Sequence, residues 1–433
     1  MSGDVTTYLL ERALLPTGVA DEVVVTVEGG RFTSVATSSA RTGRTLSGLT
    51  IPGLANCHSH AFHRALRGRT QRKRGTFWTW RDQMYAVAAR LHPDTYFTLA
   101  LATYREMVAS GITSVGEFHY LHHGPDGTPY DDPNAMGKVL LEAARQAGLR
   151  ITLLDACYLA AGIGKAPEGV QRRFSDGDAA QWAQRVSELK EGDGVKVGQA
   201  FHSVRAVPRN QLVCDPARLL HVHLSEQRAE NEQCQAVYGR SPTQVLDEAG
   251  QLGGCTTVVH ATHLTDSDIA LLGSRGVYAD LCPTTERDLG DGIGPGRRLH
   301  EAGARLTLGS DSHAVIDLFE EMRALELDER LATERRGHWT SAELLTAGTV
   351  TGHESLGWSD VGLIAVGQRA DLVTLDTCSP RTAGTGAGAE TAVFTASAED
   401  VVQVMVDGRV VARREDRPEI GRALDRAISA VWA

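Results

Sequence analysis

Two histidines separated by one residue follow an apolar run near residue 50, and their spacing suits metal binding. His58 and His60 come shortly after Pro52 and Gly53. Side chains two residues apart in extended backbone point to the same face, so both imidazoles can bind one cation. A His-x-His pair alone is weak evidence, because such pairs also occur by chance on protein surfaces. The position after a buried strand favours the metal-binding interpretation.

Three later apolar runs end in further residues that can bind a metal or move protons. His223 lies near the end of the run HVHL, His260 ends a later run in VVHATH, and Asp311 follows another in LGSDSH. Because the carboxyl ends of parallel strands meet at one rim of a barrel, we expect these side chains to converge with the first two histidines. His221, two residues before His223, is expected to be packed in the core rather than to bind metal.

Glu226, three residues after His223, is a candidate general acid and base. Taken alone, a loop glutamate is more simply a solvated acid, but beside a metal-binding histidine it can exchange protons with a substrate. Asp311 can bind the metal or accept a proton from its water. A bound cation lowers the pKa of water to about 7, and neighbouring carboxylates and imidazoles then move protons. The residues together predict a metal-dependent hydrolase.

These residues need a scaffold that brings the ends of distant strands together. Eight apolar runs alternate with segments of helical periodicity, which is typical of a closed parallel (β/α)8 barrel with active groups at the carboxyl ends of its strands. The runs cover residues 50–56, 111–118, 149–157, 195–201, 218–224, 256–261, 276–282 and 304–310. The main alternative is a doubly wound open sheet. Its frequent phosphate-binding glycine pattern is absent, since residues 53–60 read GLANCHSH.

Both ends of the chain have strand-and-turn patterns that differ from those of the middle. A Gly-Gly turn near the N-terminus and an Asp-Gly turn near the C-terminus each separate two strand-like runs, as in β-hairpins. Neither end has enough apolar residues for a core of its own, so we expect the two to pack together. The sequence predicts a TIM-like α/β barrel at 50–358 and a small β-sandwich domain built from 1–49 and 359–433, the latter ending in a helix.

The composition narrows the class of function and the compartment. The chain has 44 basic and 54 acidic residues, and the net charge of −10 disfavours binding to nucleic acid. No apolar run approaches the length of about 20 residues that crosses a bilayer, and we see no signal-peptide pattern. Seven cysteines without a Cys-x-x-Cys pair indicate a reduced, cytoplasmic setting, with Cys57 as a packed thiol. The basic run at 64–74 lacks interleaved aromatic residues, and we interpret it as a solvated loop over the active site.

Longer motifs around these residues resemble the amidohydrolase superfamily over nearly the whole chain. The motifs are PGLANCHSH, HVHLSE, VVHATH, LGSDSH and the late GLIAVGQRADLVTLD. Within the superfamily, HSHAFHRALRG, FWTWR, GEFHYLHH, QRRF, FHSVRAV, HATH and LGDGI are similar to the formimidoylglutamate deiminase family. Enzymes of that family hydrolyse N-formimino-L-glutamate to N-formyl-L-glutamate and ammonia in histidine degradation.

The resemblance implies one Zn²⁺ per chain and a role for each rim residue. The implied metal ligands are His58, His60, His223 and Asp311. Asp311 and His260 would orient the attacking water and receive its proton, and Glu226 would pass a proton to the imine nitrogen so that ammonia leaves. This order of events is chemically reasonable, because a C=N carbon is a poor electrophile until its nitrogen is protonated.

The two carboxylates of such a substrate need fixed positive donors. The substrate-binding residues that the resemblance implies are His63, Arg81, Tyr120, His202 and Arg205. An arginine suits this role because its planar fork can bond both carboxylate oxygens. Without the resemblance, surface ion pairs would be the simpler interpretation of both arginines. At His63 the family often has glutamine, so the chain departs from the family pattern there.

Other functions stay open at this point. A deaminase of the same superfamily could act on a purine or a related ring, although paired arginines do not suit an uncharged ring. A binuclear amide hydrolase often has a carboxylated lysine on the fourth strand, but Lys196 lies at the start of that strand. A non-enzymatic scaffold would be expected to lack some of the ligands. We expect a small-molecule substrate and, from the family, a homodimer.

Several aromatic and histidine residues have no assigned role. Trp78 and Trp80 suit either a pocket wall or the core. His119, His122 and His123 follow the second predicted strand of the barrel, and we expect only a supporting role for them.

Overall fold

The computed structural model describes residues 5–37, 42–72 and 74–433, and its N-terminal part consists of four strands. These are β1 (Thr6–Leu15), β2 (Gly18–Glu28), β3 (Arg31–Thr37) and β4 (Arg44–Pro52). β1 and β2 form an antiparallel hairpin, β3 pairs with β2, and β4 runs parallel to β1. Residues alternate between buried and less buried along β2, as expected for a strand with one face on a core.

Eight strands in the middle of the chain form a second sheet. They are β5 (Leu54–Ser59), β6 (Ile112–His119), β7 (Arg150–Cys157), β8 (Val195–Ser203), β9 (Leu220–Leu224), β10 (Thr256–His260), β11 (Tyr278–Leu281) and β12 (Arg305–Leu308). Each is parallel to the next in chain order, and a parallel bridge between Ser59 and Asp311 joins the last strand to the first. The sheet therefore closes into the predicted barrel rather than the open alternative.

The remaining strands return to the N-terminal sheet. They are β13 (Leu372–Leu375), β14 (Val401–Val406) and β15 (Arg409–Arg413). β13 pairs with β4, and the seven strands form one sheet in the order β15-β14-β13-β4-β1-β2-β3. The small core of this sheet contains side chains from both ends of the chain, among them Leu10, Val25 and Met405. The two ends of the chain thus build one unit, as predicted.

The predicted strand at 50–56 is wrong in one respect, because Gly53 divides it. Residues up to Pro52 pair with β13 in the small sheet, and the barrel strand starts at Leu54. Glycine is required there, since a Cβ atom on Gly53 would lie 2.2 Å from the Thr113 hydroxyl oxygen. The apolar run is continuous in sequence although its two parts belong to different sheets. The domain boundaries proposed above stay predictions.

Fourteen α-helices connect and cover the described strands. They are α1 (Phe77–Arg90), α2 (Pro93–Ala109), α3 (Ala135–Ala147), α4 (Ala179–Ser187), α5 (Arg228–Tyr238), α6 (Pro242–Glu248), α7 (Asp266–Arg275), α8 (Pro283–Leu289), α9 (Gly296–Ala302), α10 (Leu318–Thr333), α11 (Ser341–Thr346), α12 (Gly352–Ser355), α13 (Ala389–Phe394) and α14 (Arg417–Trp432). α3 ends at Gly148 in left-handed conformation, a usual helix stop. Within the described ranges, no helix has both the length and the apolar character needed to cross a membrane.

A buried ion-pair cluster joins the barrel to the small sheet. Arg150, at the start of β7, donates to Asp371, with 2.8 Å between Nη2 and Oδ1, and to Asp407 at 2.6 Å. The Arg150 and Asp371 side chains are 2% and 1% exposed. A buried charge is tolerated only when it is paired, so this cluster sets the position of one unit against the other.

Candidate active site

Four predicted metal ligands lie together at the carboxyl end of the barrel. His58 lies near the end of β5 and His60 directly after it, His223 belongs to β9, and Asp311 to the loop after β12. Their potential ligand atoms all lie within 4.8 Å of one another, and all four residues are buried. The Asp311 Oδ1 atom is 3.4 Å from His58 Nε2 and 3.2 Å from His60 Nε2. His58 Nε2 and His223 Nε2 are 3.0 Å apart.

Backbone carbonyls orient two of these imidazoles. His60 Nδ1 lies 2.9 Å from the Phe118 oxygen, and His223 Nδ1 lies 2.8 Å from the His202 oxygen. A carbonyl only accepts, so each Nδ1 must donate, and each Nε2 keeps a lone pair directed at the cluster. Burial lowers the pKa of His223 well below its ordinary value, which keeps the ring neutral, as metal binding requires. The donor set of three nitrogens and one carboxylate therefore fits a divalent cation such as zinc.

The residues that follow the strand ends have unusual backbone conformations. Five non-glycine residues there have a positive φ, and they are Ser225 (51°), His260 (69°), Ala261 (49°), Asp311 (38°) and His313 (58°). Each such residue costs about 1–3 kcal/mol and persists only where the surrounding structure imposes it. These backbone conformations direct the side chains of His260 and Asp311 into the mouth of the barrel. Strained residues of this kind are common at functional sites.

Two predicted proton-transfer residues lie beside the metal ligands. His260 Nε2 is 3.7 Å from Asp311 Oδ2 and 3.9 Å from Glu226 Oε1. Burial raises the pKa of the Glu226 carboxyl. Burial alone would lower the pKa of His260, but the carboxylates of Glu226, Glu286 and Asp311 outweigh it and raise that pKa well above its ordinary value. Buried acidic and basic groups this close together, with shifted pKa values, are typical of residues that exchange protons with a substrate.

A cavity of about 720 Å³, including the space at its open mouth, lies over these residues. The five predicted substrate-binding residues all line it, namely His63, Arg81, Tyr120, His202 and Arg205. His63 Nε2 is 2.9 Å from the Tyr120 hydroxyl, so the departure from glutamine still leaves a hydrogen-bonding ring in the wall. The structure thus brings together every residue that the sequence assigned to the site, while their individual roles stay predictions.

Both arginines of the cavity have unused hydrogen-bonding capacity. The buried Nε atoms of Arg81 and Arg205 have no hydrogen-bond partner in the described structure. The Arg81 guanidinium carbon lies 4.5 Å from the centre of the Trp78 ring, which supports it by a cation–π contact. An anionic ligand in the cavity would therefore find positive donors that are already in place.

Comparison with known proteins agrees with this geometry. The sequence model of the Amidohydrolase family matches residues 49–411. This chain belongs to the amidohydrolase family. It is accordingly a metal-dependent hydrolase that acts on C–N bonds. The family also accounts for the (β/α)8 barrel and the separate sheet of terminal strands.

The relatives of this amidohydrolase include several deaminating enzymes. A formimidoylglutamate deiminase from Pseudomonas aeruginosa is 38% identical over 93% of this chain and 94% of its own length. A 5-methylthioadenosine/S-adenosylhomocysteine deaminase from Pelotomaculum thermopropionicum is 27% identical, with 92% and 90% covered. An amidohydrolase structure from Brucella melitensis superposes with a TM-score of 0.90 at 32% identity, covering 99% of this chain and 100% of that one.

Sequence reasoning missed the residue that orients His260 in this amidohydrolase. Glu286, in the first turn of α8, places Oε1 3.4 Å from His260 Nδ1 and accepts the backbone N–H of Cys282 at 3.0 Å. Its position in CPTTERDL follows a strand and a helix-starting proline, but nothing in that pattern distinguishes it from a solvated acid. Only the packing of α8 against the barrel mouth brings it to the histidine.

An amide between two tyrosines was also missed. Gln171 Nε2 donates to the hydroxyl oxygens of Tyr85 and Tyr158, at 2.9 Å each, and both tyrosines line the cavity. Gln171 belongs to the QRRF motif, which the sequence analysis noted without assigning it a role. Phe174 of the same motif also lines the cavity. The motif therefore builds one wall of the site of this amidohydrolase.

The basic run at 64–74 differs from the predicted solvated loop. Arg64 and Arg67 each form a salt bridge of 2.6 Å with Glu106, and their side chains are only 15% and 26% exposed. The Arg69 guanidinium carbon lies 5.1 Å from the centre of the Trp432 ring. These arginines anchor the loop after β5 to α2 and α14, because a buried acid and an aromatic ring face them. Lys73 lies outside the described residues.

The other residues with open interpretations lie partly in the core and partly at the cavity. His221 is buried without a hydrogen-bond partner for either ring nitrogen, and Cys57 Sγ faces the Gly352 oxygen at 3.5 Å, so both are packed residues as predicted. Trp80 lines the cavity, whereas Trp78 is 47% exposed and supports Arg81. Lys196 Nζ lies 5.0 Å from the centre of the Trp358 ring and does not line the cavity, which disfavours a binuclear site built on it.

The three histidines at and after the end of β6 form a separate buried network. His123 Nε2 is 3.0 Å from Asp176, and His122 Nε2 is 3.7 Å from Asp155. Arg185 bonds both aspartates at 2.8 Å. His119, His122 and Asp155 lie close enough to share a cation, but Asp155 is already neutralised by Arg185. The network holds α4 against β7, which is a supporting structural role.

Proposed function

We propose that this amidohydrolase is a zinc-dependent formimidoylglutamate deiminase that converts N-formimino-L-glutamate and water to N-formyl-L-glutamate and ammonia, a step of histidine degradation. The observation that carries the proposal is the cavity in which Arg81 and Arg205 share one space with the cluster of metal ligands. The similarity to the Pseudomonas aeruginosa deiminase supports the same substrate. A dicarboxylate needs two positive donors, and this cavity has two.

His58, His60, His223 and Asp311 would hold one zinc ion. When bound, zinc lowers the pKa of a coordinated water to about 7 and so supplies a nucleophile at neutral pH. The neutral imidazoles and the carboxylate of these four residues match the preference of zinc for four nitrogen and oxygen ligands in tetrahedral arrangement.

Proton transfer in the proposed reaction falls to Glu226, His260 and Asp311. Glu226 gives a proton to the imine nitrogen, which makes the formimino carbon electrophilic. Asp311 and His260 take the proton of the attacking water, and Glu286 keeps the His260 ring in its orientation. The proton taken from the water then passes to the same nitrogen, the C–N bond breaks, and the nitrogen leaves as ammonia. The hydroxyl group on the carbon returns its proton to Glu226, and the carbon becomes a formyl group.

Substrate recognition rests on the cavity wall. Arg81 and Arg205 bind the two carboxylates, and His63, Tyr120 and His202 donate or accept hydrogen bonds along the chain of the substrate.

A deaminase of a purine or a related ring is the second candidate function. The aromatic wall favours it, since Tyr85, Tyr158 and Phe174 could stack on a ring, and the relative from Pelotomaculum thermopropionicum is named for such substrates. Two arginines with unused donors argue for an anionic ligand instead.

Ammonia release from purified, metal-quantified protein distinguishes the two functions. N-formimino-L-glutamate is compared with adenosine, 5-methylthioadenosine and guanine at equal concentrations. We expect ammonia from the formimino substrate alone, with one zinc per chain. Turnover of a purine without turnover of N-formimino-L-glutamate would overturn the proposal.

Three further expectations complete the proposal. The protein is a cytoplasmic homodimer that binds neither nucleic acid nor membrane. Light scattering at micromolar concentration tests the dimer, and cell fractionation tests the compartment. Hydrogen exchange tests the division of the chain at 49/50 and 358/359, because two separate units are expected to open with different free energies.

A further inference from the structure

Glu230 is a fully buried carboxylate that the proposed mechanism does not use. It lies in the first turn of α5, its side chain is 0% exposed, and neither carboxylate oxygen has a hydrogen-bond partner of good geometry in the described structure, although the Glu226 backbone N–H lies close enough to lower its pKa. A buried carboxylate without hydrogen bonds is costly, and nearly all buried polar groups in proteins are paired. Burial raises the pKa of Glu230 to about 7, against the opposing effect of the Arg205 charge.

The nearest cation to Glu230 belongs to the cavity wall. Arg205 Nε lies 4.0 Å from Glu230 Oε2, and this Nε is the buried donor that has no hydrogen-bond partner. A guanidinium has five N–H donors, of which Nε supplies one. When Nε–H is directed at Glu230, the four N–H groups of the two terminal nitrogens stay available to a ligand in the cavity.

Two other acids make a fixed orientation of Arg205 necessary. Glu226 and Asp311 line the same cavity as Arg205. A guanidinium without a buried partner would be attracted to either of them, and it would then neutralise a group that the reaction needs. Glu230, held in the first turn of α5, competes with them for the Nε side of the guanidinium and so limits this attraction.

We propose that Glu230 is a positioning residue for carboxylate recognition, holding Arg205 through Nε so that its terminal nitrogens bind a carboxylate of the substrate. The inference rests on the proposed function, because it assumes an anionic substrate. Glu230 itself contacts neither the substrate nor the metal ligands. Its effect on binding passes entirely through Arg205.

A double-mutant cycle tests this coupling. Wild type, Glu230→Gln, Arg205→Met and the double variant are compared by calorimetric titration with glutarate, which is a simple dicarboxylate, and by KM and kcat for N-formimino-L-glutamate. We expect Glu230→Gln to weaken glutarate binding and to raise KM about tenfold, with kcat reduced no more than threefold. In the Arg205→Met background the same substitution is expected to change neither quantity more than twofold.

Stability measurements separate positioning from a structural role. Glutamine has the size of glutamate and removes a desolvated charge, so the unfolding temperature of Glu230→Gln is expected to equal or exceed that of wild type. The matched control is Glu326→Gln, which removes another buried glutamate, paired with Arg330 at 2.6 Å on α10. It should leave glutarate affinity and KM unchanged. If Glu230→Gln does not fold, Glu230→Asp takes its place in the cycle.

The possible results separate failure of the positioning role from failure of the proposed substrate. Unchanged glutarate affinity in Glu230→Gln, or equal weakening with and without Arg205, overturns the positioning role. If wild type binds glutarate and shows the coupling but does not release ammonia from N-formimino-L-glutamate, the proposed substrate fails while the positioning role stands. If wild type neither binds glutarate nor turns over the substrate, both are overturned.

Discussion

Replacing Glu226 by glutamine removes the proton donor while keeping the size of the side chain. Glu226 Oε1 lies 3.9 Å from His260 Nε2, and the two side chains are 10% and 1% exposed. Once Glu226 has given up its proton, its negative charge and a protonated His260 at this distance interact by about 4 kcal/mol at an effective dielectric constant of about 20. The substitution thus removes both the proton delivered to the imine nitrogen and much of the support for a protonated His260. General acid–base catalysis contributes about 10²–10⁴-fold, and we expect kcat to fall by that factor.

The assay combines ammonia release with metal analysis of the same samples. The zinc content of Glu226→Gln is expected to equal that of wild type, because Glu226 is not part of the four-residue ligand cluster. The control is Glu142→Gln, since Glu142 pairs with Arg145 on the exposed face of α3, and it should change neither kcat nor metal content. A Glu226→Gln variant with kcat within threefold of wild type and normal zinc content would refute the assigned role.

Three further substitutions have defined outcomes. Arg205→Met removes a charge-assisted hydrogen bond worth about 1.5–3 kcal/mol and should raise KM about 10–150-fold; an unchanged KM removes Arg205 from substrate binding. Glu286→Gln takes away one of the carboxylates that raise the pKa of His260. The limb of the pH–rate profile that reports His260 should therefore move to lower pH, and an unmoved profile contradicts an interaction between Glu286 and His260. Asp371→Asn leaves Arg150 buried with a weakened partner and should lower the free energy of unfolding in urea by about 3–5 kcal/mol; a loss below 1 kcal/mol means that this cluster does not join the two units.

Part of the fold was predictable because its signals are local. Apolar runs of strand length alternate with amphipathic helices, and a polar residue stands at the end of each functional strand, as at His223 and His260. These patterns can be seen in the sequence because each barrel strand buries its side chains, which makes it apolar, while its carboxyl end faces the site and is polar. The apolar run that contains Gly53 shows what such local patterns cannot predict. Its two parts are equally apolar, and only pairing with β13 assigns the first part to the small sheet.

The contacts that orient the site could not be predicted in the same way. Glu286, Gln171 and Glu230 are ordinary polar residues in helices or short turns, and their partners lie 26 residues away for His260 and 86 for Tyr85. The spacing of residues within one helix or strand does not specify which side chain of another helix or strand will contact it. Burial decides these pairs, because a desolvated polar group must find a partner and only the folded barrel determines which one is within reach.

The sequence by itself determined the barrel, the union of the two chain ends and the identity of the metal-binding residue types, since these depend on periodicity and on the chemistry of strand ends. The tertiary structure alone decided the 4.8 Å cluster of ligand atoms, the strained backbone that aims His260 and Asp311, and the cavity shared with the arginines. The physical reason is that the residue types at the end of a strand can be read from the few residues around it. The distances between strand ends depend instead on how eight strands close into one ring.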